Sequence, residues 1–384
     1  MLSIMRDVTI VGGGPAGSLA AADLARDHDV LVLEEHESSG RPVQCAGLIS
    51  DEVIRMSGVR PDILNTLHGA EVVFPDGRSV IVRSDWPKAR VVDRSDLDSR
   101  MADAAMAAGA EYSYSEKYIS HMVGDHVVVT TSDGGHTTRS IVGADGHSSK
   151  VAMSLGDNGP REYIRGIQAD VAVTAPHQDL FRIHLGSRYA PGFFTWEIPC
   201  GDFTRVGLCT SWSAGPPMQY LKRLLADNGY DSKIITMYSG KIPVGGRRTT
   251  YGDRCLLTGD AAGLVKPISG GGLYPTFKAT PILCRVLRQA LSSDDLSGKA
   301  LSEYESAWRS EIGKGLDRGY TLRRLFCRLD DGDLIRAGRY ASRDDVRSEL
   351  DELDLDDPSA VMKRIIRHGG ALLAAIPLGL RCLI

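Results

Sequence analysis

The sequence lacks the features that mark several classes of protein. Its seven cysteines have no regular spacing and form no Cys-x-x-Cys pair or Cys/His cluster, which argues against a disulfide framework or a bound metal. The net charge of −4 leaves no basic excess for binding nucleic acid. The first apolar strand begins too near the N-terminus to leave room for a signal peptide. These absences predict a cytoplasmic globular protein of about two domains.

Glycine, by contrast, is abundant, and its first cluster lies in a recognisable pattern. An apolar strand runs into Gly12-x-Gly14-x-x-Gly17, and an alanine-rich helical stretch and a second apolar strand follow. Gly12 allows a tight turn, Gly14 lets the backbone approach a pyrophosphate, and Gly17 lets the helix pack close to the strand. The second strand ends at Glu34, whose carboxylate can accept hydrogen bonds from ribose hydroxyls. The segment therefore predicts a dinucleotide site.

Two later strands also end in glycine and an acidic residue. One ends in the turn Asp145-Gly146, and the other ends at Gly259-Asp260, whose carboxylate can accept a hydrogen bond from a ribityl hydroxyl. Residues 267–273 then form a glycine-rich turn into a helix. The N–H groups of such a turn can face the edge of a flavin ring where negative charge accumulates on reduction.

The three segments resemble the signatures of flavoproteins built like p-hydroxybenzoate hydroxylase, over residues 8 to about 285. The resemblance implies FAD as the cofactor. It also implies an α/β fold, in which a Rossmann-like FAD-binding domain of the p-hydroxybenzoate hydroxylase or glutathione reductase type carries an inserted β-rich substrate domain. The cofactor-binding residues that it implies are Gly12, Gly14, Ala16, Gly17, Glu34, Glu35, Arg41, Cys45, Ala46, Gly47, Arg94, Tyr118, Asp145, Gly259, Asp260, Pro267, Gly270, Gly271, Gly272 and Leu273.

The predicted nucleotide-binding elements are scattered along the chain, with a strand-rich region between them and a helical pattern after about residue 300. We therefore predict three parts. The FAD-binding domain is assigned to 1–70, 91–160 and 251–300, the β-sheet substrate domain to 71–90 and 161–250, and a helical C-terminal region to 301–384.

A loop after the second strand resembles the Pro-x-x-Cys-Gly-x-Gly pattern of the geranylgeranyl reductase family, which includes the archaeal digeranylgeranylglycerophospholipid reductases. Pro42 and Cys45 match that pattern, whereas Ala46 and Leu48 replace its glycines and Gly47 lies between them. The resemblance implies that Cys45 lies near the flavin and is the candidate catalytic residue. A thiol there can donate a proton, contact the ring or simply pack.

An aromatic segment resembles a second pattern of the same family, Tyr-x-Trp-x-Phe-Pro-Lys. Trp196 and Pro199 match it, while Phe194, Ile198 and Cys200 depart from it. Strand alternation would place Phe194, Trp196 and Ile198 on one face. That face either lines a prenyl tunnel or packs the core of the second domain. The predicted substrate-binding residues are Phe194, Trp196, Ile198 and Pro199.

The family resemblance implies an FAD-dependent reductase that saturates double bonds of geranylgeranyl chains. An isolated alkene has no carbonyl to polarise, so alignment in a dry, apolar site must supply much of the rate. The implied partners are an isoprenoid lipid and a transient electron donor, which is NADPH, ferredoxin or a deazaflavin. The C-terminal apolar run, 371–384, follows basic residues and is too short to span a bilayer. It is either a buried helix or a surface for peripheral membrane contact.

Two other flavin enzymes remain as alternatives. A monooxygenase of aromatic compounds needs a compact polar pocket for a phenol, which the aromatic strand and the apolar C-terminus do not suggest. A flavin-dependent halogenase has the pattern Trp-x-Trp-x-Ile-Pro, which Phe194-x-Trp196-x-Ile198-Pro199 resembles with the first Trp missing. Halogenases also need a lysine, for which Lys88 is the only nearby candidate. A non-enzymatic FAD scaffold or electron carrier is a third alternative.

Overall fold

The computed structural model describes residues 5–156 and 159–351. Its strands are β1 (Met5–Val11), β2 (Val30–Leu33), β3 (Leu48–Ile49), β4 (Ile63–Leu67), β5 (Gly69–Val73), β6 (Ser79–Arg83), β7 (Ala89–Val92), β8 (Glu111–Ser113), β9 (Tyr118–Val123), β10 (Val127–Thr131), β11 (Gly135–Gly143), β12 (Glu162–Val171), β13 (Leu180–His184), β14 (Thr195–Pro199), β15 (Thr204–Ser211), β16 (Ile234–Val244), β17 (Tyr251–Gly252) and β18 (Cys255–Leu257). Its α-helices are α1 (Pro15–Leu24), α2 (Asp51–Ser57), α3 (Arg94–Ala107), α4 (Lys150–Ser154), α5 (Met218–Asp227), α6 (Leu273–Ser293), α7 (Gly298–Trp308), α8 (Lys314–Phe326), α9 (Asp331–Ala341) and α10 (Asp344–Asp351).

An eight-stranded sheet forms the first layer, in the order β17-β18-β11-β1-β2-β8 with the β9–β10 hairpin attached to β11. Strand β1 pairs in parallel with both β2 and β11, and β11 pairs in parallel with β18. All four residues of β2 are buried, as is typical of a parallel strand whose two faces are both covered. The parallel β1–α1–β2 unit confirms the predicted α/β fold with a Rossmann-like nucleotide-binding region.

A seven-stranded sheet forms the second layer, in the order β16-β12-β15-β14-β13-β5-β6. Its strand pairs are antiparallel except for β13 and β5, which run parallel. Helix α5 covers one face of this sheet with Leu221, Leu224 and Leu225, which pack against residues of β12 and β15. The strands come from residues 69–83 and 162–244, so this sheet is interrupted in sequence by elements of the first layer. The division of the chain into domains stays a prediction.

A third, three-stranded sheet has the order β3-β7-β4, and its strand β7 ends two residues before α3 begins. Helices α6 to α10 follow the last strand of the two large sheets. Arg323 on α8 is 1% exposed; it pairs with Glu162 of β12 and donates a hydrogen bond to the Gly192 carbonyl at 3.1 Å. Helix α8 is thereby fixed to the second sheet. Within residues 5–156 and 159–351, no helix has the length and apolar character needed to cross a membrane. The C-terminal run 371–384 lies outside the described residues.

Candidate functional site

The N-terminal glycine turn is fixed by two close backbone approaches. Gly12 has a φ of +103°, and a Cβ atom on it would overlap the carbonyl oxygen of Ala144. A Cβ atom on Gly17 would overlap the carbonyl oxygen of Gly12. Gly14 differs, because no atom lies within 4 Å of the position that its Cβ would take. The first and third glycines are therefore needed for packing, and the second leaves open space in front of α1.

The N-terminus of α1 is suited to an anionic group. Gly14 is its N-cap, no side chain caps the helix, and Pro15 stands at its first position. The first N–H groups of a helix have no partner within the helix and carry partial positive charge. A pyrophosphate placed over Gly14 would accept hydrogen bonds from these groups. The residues present at this turn therefore fit the phosphates of FAD.

Glu34 lies beside the same turn, immediately after β2. Its carboxylate is buried and accepts hydrogen bonds from the backbone N–H groups of Gly13 at 2.8 Å and His36 at 3.0 Å. Glu35 is exposed, and its carboxylate lies 2.6 Å from the ammonium group of Lys117, the residue immediately before β9. Tyr118, at the start of β9, is buried in the main core, and its hydroxyl contacts His121 at 2.6 Å. These elements form the edge expected to hold the ADP half of the cofactor.

The third predicted segment meets the first at the N-terminus of α1. Gly259 has a φ of +64°, and a Cβ atom on it would lie 2.8 Å from the Cβ atom of Ala16. A Cβ atom on Gly272 would lie 3.1 Å from Oδ1 of Asp260. With the contact between Gly12 and Ala144, segments more than 100 residues apart in sequence therefore converge on one site.

The carboxylate of Asp260 is half-buried at this convergence. Burial raises the pKa of the Asp260 carboxyl to about 6, and the positive charge of Arg94 acts in the opposite direction. Among the described residues, no side chain or backbone N–H donates a hydrogen bond to this carboxylate. An acceptor in such surroundings fits a ribityl hydroxyl of FAD.

The carboxylate of Asp145 is hydrogen-bonded within the protein. Its carboxylate accepts hydrogen bonds from the Ser149 hydroxyl at 2.5 Å and from the N–H groups of Lys150 at 2.7 Å and Val151 at 3.2 Å. It therefore caps the N-terminal end of α4. Contact between Asp145 and the cofactor would fall to its backbone, because the carboxylate is already engaged.

The glycine-rich loop before α6 is closed by backbone hydrogen bonds. The N–H of Lys266 bonds to the carbonyl of Gly271 at 3.0 Å, and the N–H of Gly270 bonds to the carbonyl of Lys266 at 2.9 Å. Pro267 begins the loop, and a Cβ atom on Gly319 of α8 would lie 3.1 Å from it. Gly272 is the N-cap of α6, and Leu273 packs against the core beside α3. The loop thus presents its backbone at the N-terminus of a 21-residue helix.

Arg94 is the first residue of α3, and its positive charge acts on the carboxylate of Asp260. Asp93 is the N-cap, with its side chain accepting a hydrogen bond from the Ser95 N–H. The Arg94 guanidinium is buried and forms a two-pronged ion pair with Asp98, with Nη2 at 2.9 and 3.0 Å from the two carboxylate oxygens. Burial opposes its charged form, but Asp98 and the neighbouring Cys45 raise the pKa of Arg94 above its ordinary value. Arg94 therefore supplies a fixed positive charge next to the Cys45 thiol.

The loop that carries Cys45 is anchored from the second sheet. Gln168 of β12 donates a hydrogen bond from Nε2 to the carbonyl of Cys45 at 3.1 Å. Arg205 of β15 donates from Nη1 to the carbonyl of Ala46 at 2.9 Å. Gly47, with a φ of +75°, accepts a hydrogen bond from the Val92 N–H at 2.9 Å. Three hydrogen bonds from two different sheets thus fix the backbone next to the thiol. Arg41, at the start of the loop, is exposed.

Arg205 is itself held by a buried ion pair with Asp170. These residues are directly opposite each other on β15 and β12, each is 6% exposed, and their two contacts measure 2.8 and 3.1 Å. No sequence motif points to Asp170, Arg205 or Gln168. Opposite charges in two otherwise apolar strands were a visible signal, but their pairing depends on strand register, which the sequence does not supply.

The aromatic segment and the Cys45 loop meet in one apolar cluster. Trp196 and Ile198 share one apolar cluster with Ala46 and Leu48. Phe194 contacts Trp196 edge to face with ring centroids 6.4 Å apart, and stacks on Phe193 at 4.3 Å. Glu197 instead bonds to His184 at 2.9 Å. These contacts agree with the expected alternation of β14, which separates the aromatic residues from its polar ones. Pro199 ends the strand and is buried.

Phe193 connects this aromatic surface with the glycine-rich loop. A Cβ atom on Gly270 would lie 3.7 Å from the Phe193 ring and 3.2 Å from the side chain of Ile242. The indole Nε1 of Trp196 is buried and has no hydrogen-bond partner in the described part of the chain. The predicted substrate face therefore lies between the Cys45 loop on one side and the loop 266–271 on the other.

Comparison with known proteins identifies the class of protein. The FAD binding domain family matches residues 5–205, which is more than half of the chain. Together with the convergence of the three motifs, this match makes the protein an FAD-dependent flavoprotein, and FAD is its cofactor.

Similar proteins of known name identify the family to which this flavoprotein belongs. It is 31% identical to digeranylgeranylglycerophospholipid reductase 2 of Methanothermobacter thermautotrophicus, over 94% of this chain and 98% of that one. It is 29% identical to the digeranylgeranylglycerophospholipid reductase of Methanocaldococcus jannaschii, over 97% of both. The chain belongs to the geranylgeranyl reductase family of FAD-dependent oxidoreductases, as the resemblance of its motifs predicted.

Solved structures support the fold. A geranylgeranyl bacteriochlorophyll reductase-like protein of Thermoplasma acidophilum has a TM-score of 0.83 at 23% identity, over 94% of this chain and 96% of that one. The halogenase PltM has a TM-score of 0.68 at 18% identity, over 93% of this chain and 85% of that one. At these identities the likeness concerns the fold, which is shared by enzymes with different chemistry.

Proposed function

We propose that this protein saturates C=C double bonds in the geranylgeranyl chains of archaeal-type membrane lipid precursors. The observation that carries the proposal is one buried apolar cluster that contains Ile198 and against which Trp196, Ala46 and Leu48 all pack. This cluster supports the proposal because it joins apolar and aromatic residues of β14 to the loop that carries Cys45. The relatives whose names specify reduction of such lipids cover nearly the whole chain.

The reaction adds a hydride to one alkene carbon and a proton to the other. Bound FAD supplies the hydride when it is reduced. The N-terminus of α1, Glu34, Asp260 and the loop 266–271 would hold the cofactor. Since the substrate offers no polar group to activate, these residues contribute to the rate mainly by orientation.

The proton is assigned to Cys45. The thiol loses it to the second alkene carbon as the S–H bond breaks and the C–H bond forms, and solvent then returns a proton to sulfur. The guanidinium of Arg94 neighbours this thiol, and Arg205 donates a hydrogen bond to the carbonyl of the next residue, Ala46, at 2.9 Å. Two fixed guanidinium groups would stabilise the negative charge that the sulfur acquires.

Phe194 and Trp196, which are partly exposed, would exclude water from the reacting bond and contact the prenyl chain. Ile198 is 1% exposed and packs in the apolar core beneath them. Arg205, Asp170 and Gln168 act through the loop rather than on the substrate, so we assign them as positioning residues. Their hydrogen bonds end on the carbonyl groups of Cys45 and Ala46. The electron donor is proposed to be NADPH, ferredoxin or a deazaflavin, and membrane contact of the C-terminal run is proposed as the route to the lipid.

The test is anaerobic. The bound flavin is reduced chemically, geranylgeranyl glycerophospholipid is added in detergent, and flavin reoxidation is followed together with the product mass. We expect reoxidation with a gain of two hydrogens per double bond, and no reoxidation with the fully saturated phytanyl lipid as the control. Absence of reoxidation, with oxygen-dependent hydroxylation of a phenol or halogenation of an aromatic ring instead, would overturn the proposal.

A further inference from the structure

Two buried polar atoms beside the Cys45 loop have no hydrogen-bond partner within residues 5–156 and 159–351. They are Oε1 of Gln168, a residue that is 4% exposed, and the indole Nε1 of Trp196. Buried polar atoms of folded proteins are hydrogen-bonded in the large majority of cases. Each of these two atoms therefore points to a group that the described part of the chain does not supply.

The two atoms belong to side chains that lie over the same glycine. Gln168 of β12 and Trp196 of β14 are both directly opposite Gly207 of β15, one on each side of it. A Cβ atom on Gly207 would lie 2.6 Å from Cβ of Gln168 and 2.5 Å from Cε2 of Trp196, the ring carbon bonded to Nε1. The two side chains therefore share the space above Gly207, which only a residue without a side chain leaves open.

The hydrogen-bonding capacities of the two atoms are complementary. Gln168 donates from Nε2 to the carbonyl of Cys45 at 3.1 Å, and because a carbonyl can only accept, this bond fixes the orientation of the amide. Its Oε1 is then an acceptor, whereas the indole N–H of Trp196 is a donor only. A single partner that satisfies both atoms must accept one hydrogen bond and donate another.

We propose that Gln168 and Trp196 together bind one hydroxyl group, which accepts a hydrogen bond from the indole and donates one to the amide oxygen. A hydroxyl combines both functions in one atom, and it has two sources here, a water molecule and an alcohol group of a prenyl ligand. Because Gln168 also holds the Cys45 carbonyl, this hydroxyl would lie beside the loop that carries the thiol. The inference deepens the proposed function, on which it rests for the choice of a prenyl ligand.

The first experiment is a high-resolution crystal structure of the FAD-loaded protein, alone and with geranylgeraniol. We expect an oxygen atom at about 2.7–3.2 Å from both Nε1 of Trp196 and Oε1 of Gln168. A water oxygen in both crystals assigns the site to water, and the alcohol oxygen in the complex assigns it to the ligand. A direct hydrogen bond between the two side chains, contact of both with the flavin ring, or no oxygen atom between them would overturn the inference.

The second experiment compares the affinities of geranylgeraniol and its methyl ether for the protein with oxidised flavin and no reductant. An ether oxygen cannot donate, so an alcohol site should bind geranylgeraniol at least about tenfold more tightly. Trp196→Phe and Gln168→Met should each abolish this preference. The control Trp212→Phe, which removes an indole that is 46% exposed, should keep it.

The ratio of the two affinities separates the hydroxyl site from other effects of the variants, because a disturbed Cys45 loop would weaken both ligands alike. Equal affinities in the wild type, together with an ordered water in the crystal, support the water source. A preference for the alcohol that survives in both Trp196→Phe and Gln168→Met would overturn the inference. Since no step requires turnover, failure of the reductase assay would leave these results unchanged.

Discussion

The two halves of the candidate site are positioned by different means. The nucleotide half depends on backbone approaches, in which Gly12 and Gly17 lie where a Cβ atom would overlap a carbonyl oxygen. The thiol half depends on side chains, because Arg205 and Gln168 reach from the second sheet to the loop of Cys45. The first arrangement needs one residue type at fixed spacing. The side-chain arrangement needs a particular partner from a distant strand. Only the glycine arrangement can therefore be recognised as a motif in the sequence.

The largest expected effect is a loss of FAD binding in the nucleotide half of the site. Gly17→Ala should abolish FAD binding, because its Cβ would overlap the Gly12 carbonyl and force the turn away from α1. Gly14→Ala is the matched control: its Cβ meets nothing within 4 Å, so the protein should fold and bind FAD more weakly. Flavin absorbance and circular dichroism measure both. Equal FAD content in the two variants would contradict the assignment of the glycines.

The next largest effect is a loss of stability when the buried ion pair of the thiol half is broken. Arg205→Met leaves the buried Asp170 without its cation and should lower the free energy of unfolding by about 3–5 kcal/mol. The double variant Asp170→Leu/Arg205→Met replaces the pair by apolar side chains and should recover most of that stability. We expect it still to reduce lipid slowly, because Ala46 loses its tether.

Three measurements separate positioning from a structural role in these variants. Denaturant unfolding gives stability, the flavin spectrum gives cofactor content, and the rate of Cys45 alkylation, resolved by peptide mass spectrometry, reports the surroundings of the thiol. In the double variant the first two should match the wild type while alkylation and turnover change. Wild-type turnover in that variant would exclude a positioning role for Arg205.

Removing the Cys45 thiol tests whether this side chain supplies the proton in the reaction. Cys45→Ala should lower lipid reduction by about 100-fold or more, the range for loss of a positioned proton donor, with the flavin spectrum little changed. Cys284→Ala serves as the control, because this buried thiol on α6 contacts α1 rather than the Cys45 loop. Its turnover should equal that of the wild type. If Cys45→Ala also reduces lipid at the wild-type rate, the proton comes from another group.

The smallest expected effect concerns the pH dependence of the apoprotein. The pKa of Asp260 is raised by burial to about 6, so the folded state holds this proton more tightly than the unfolded chain does. Stability should therefore decrease as the pH rises from about 4 to about 6. Asp260→Asn should remove that decrease, making the variant the more stable protein at pH 7 and similar to wild type near pH 4. Thermal unfolding across this range measures it, and an unchanged slope would contradict the role of Asp260.

Most residues of the nucleotide half can be predicted from the sequence, because the conformation of the backbone there requires glycine at particular positions. The order strand, Gly12-x-Gly14-x-x-Gly17, helix and strand ending at Glu34 defines a local unit that folds in nearly one way. Asp145 shows the limit of this reasoning. Its position in a glycine-bearing turn is readable from the sequence, but the hydrogen bonds from Ser149 and Lys150 to its carboxylate depend on where α4 begins.

The class of cofactor, the family and the aromatic character of β14 can be read from the sequence, because they follow from residue types at short, fixed spacings. Which charged side chains pair depends on the folded chain. Asp170 and Arg205 are 35 residues apart, and Arg205 and Ala46 are 159 apart, so their contacts exist only through strand register and the docking of one sheet against the Cys45 loop. Long-range pairing of side chains depends on the whole fold, and no local stretch of residues encodes it.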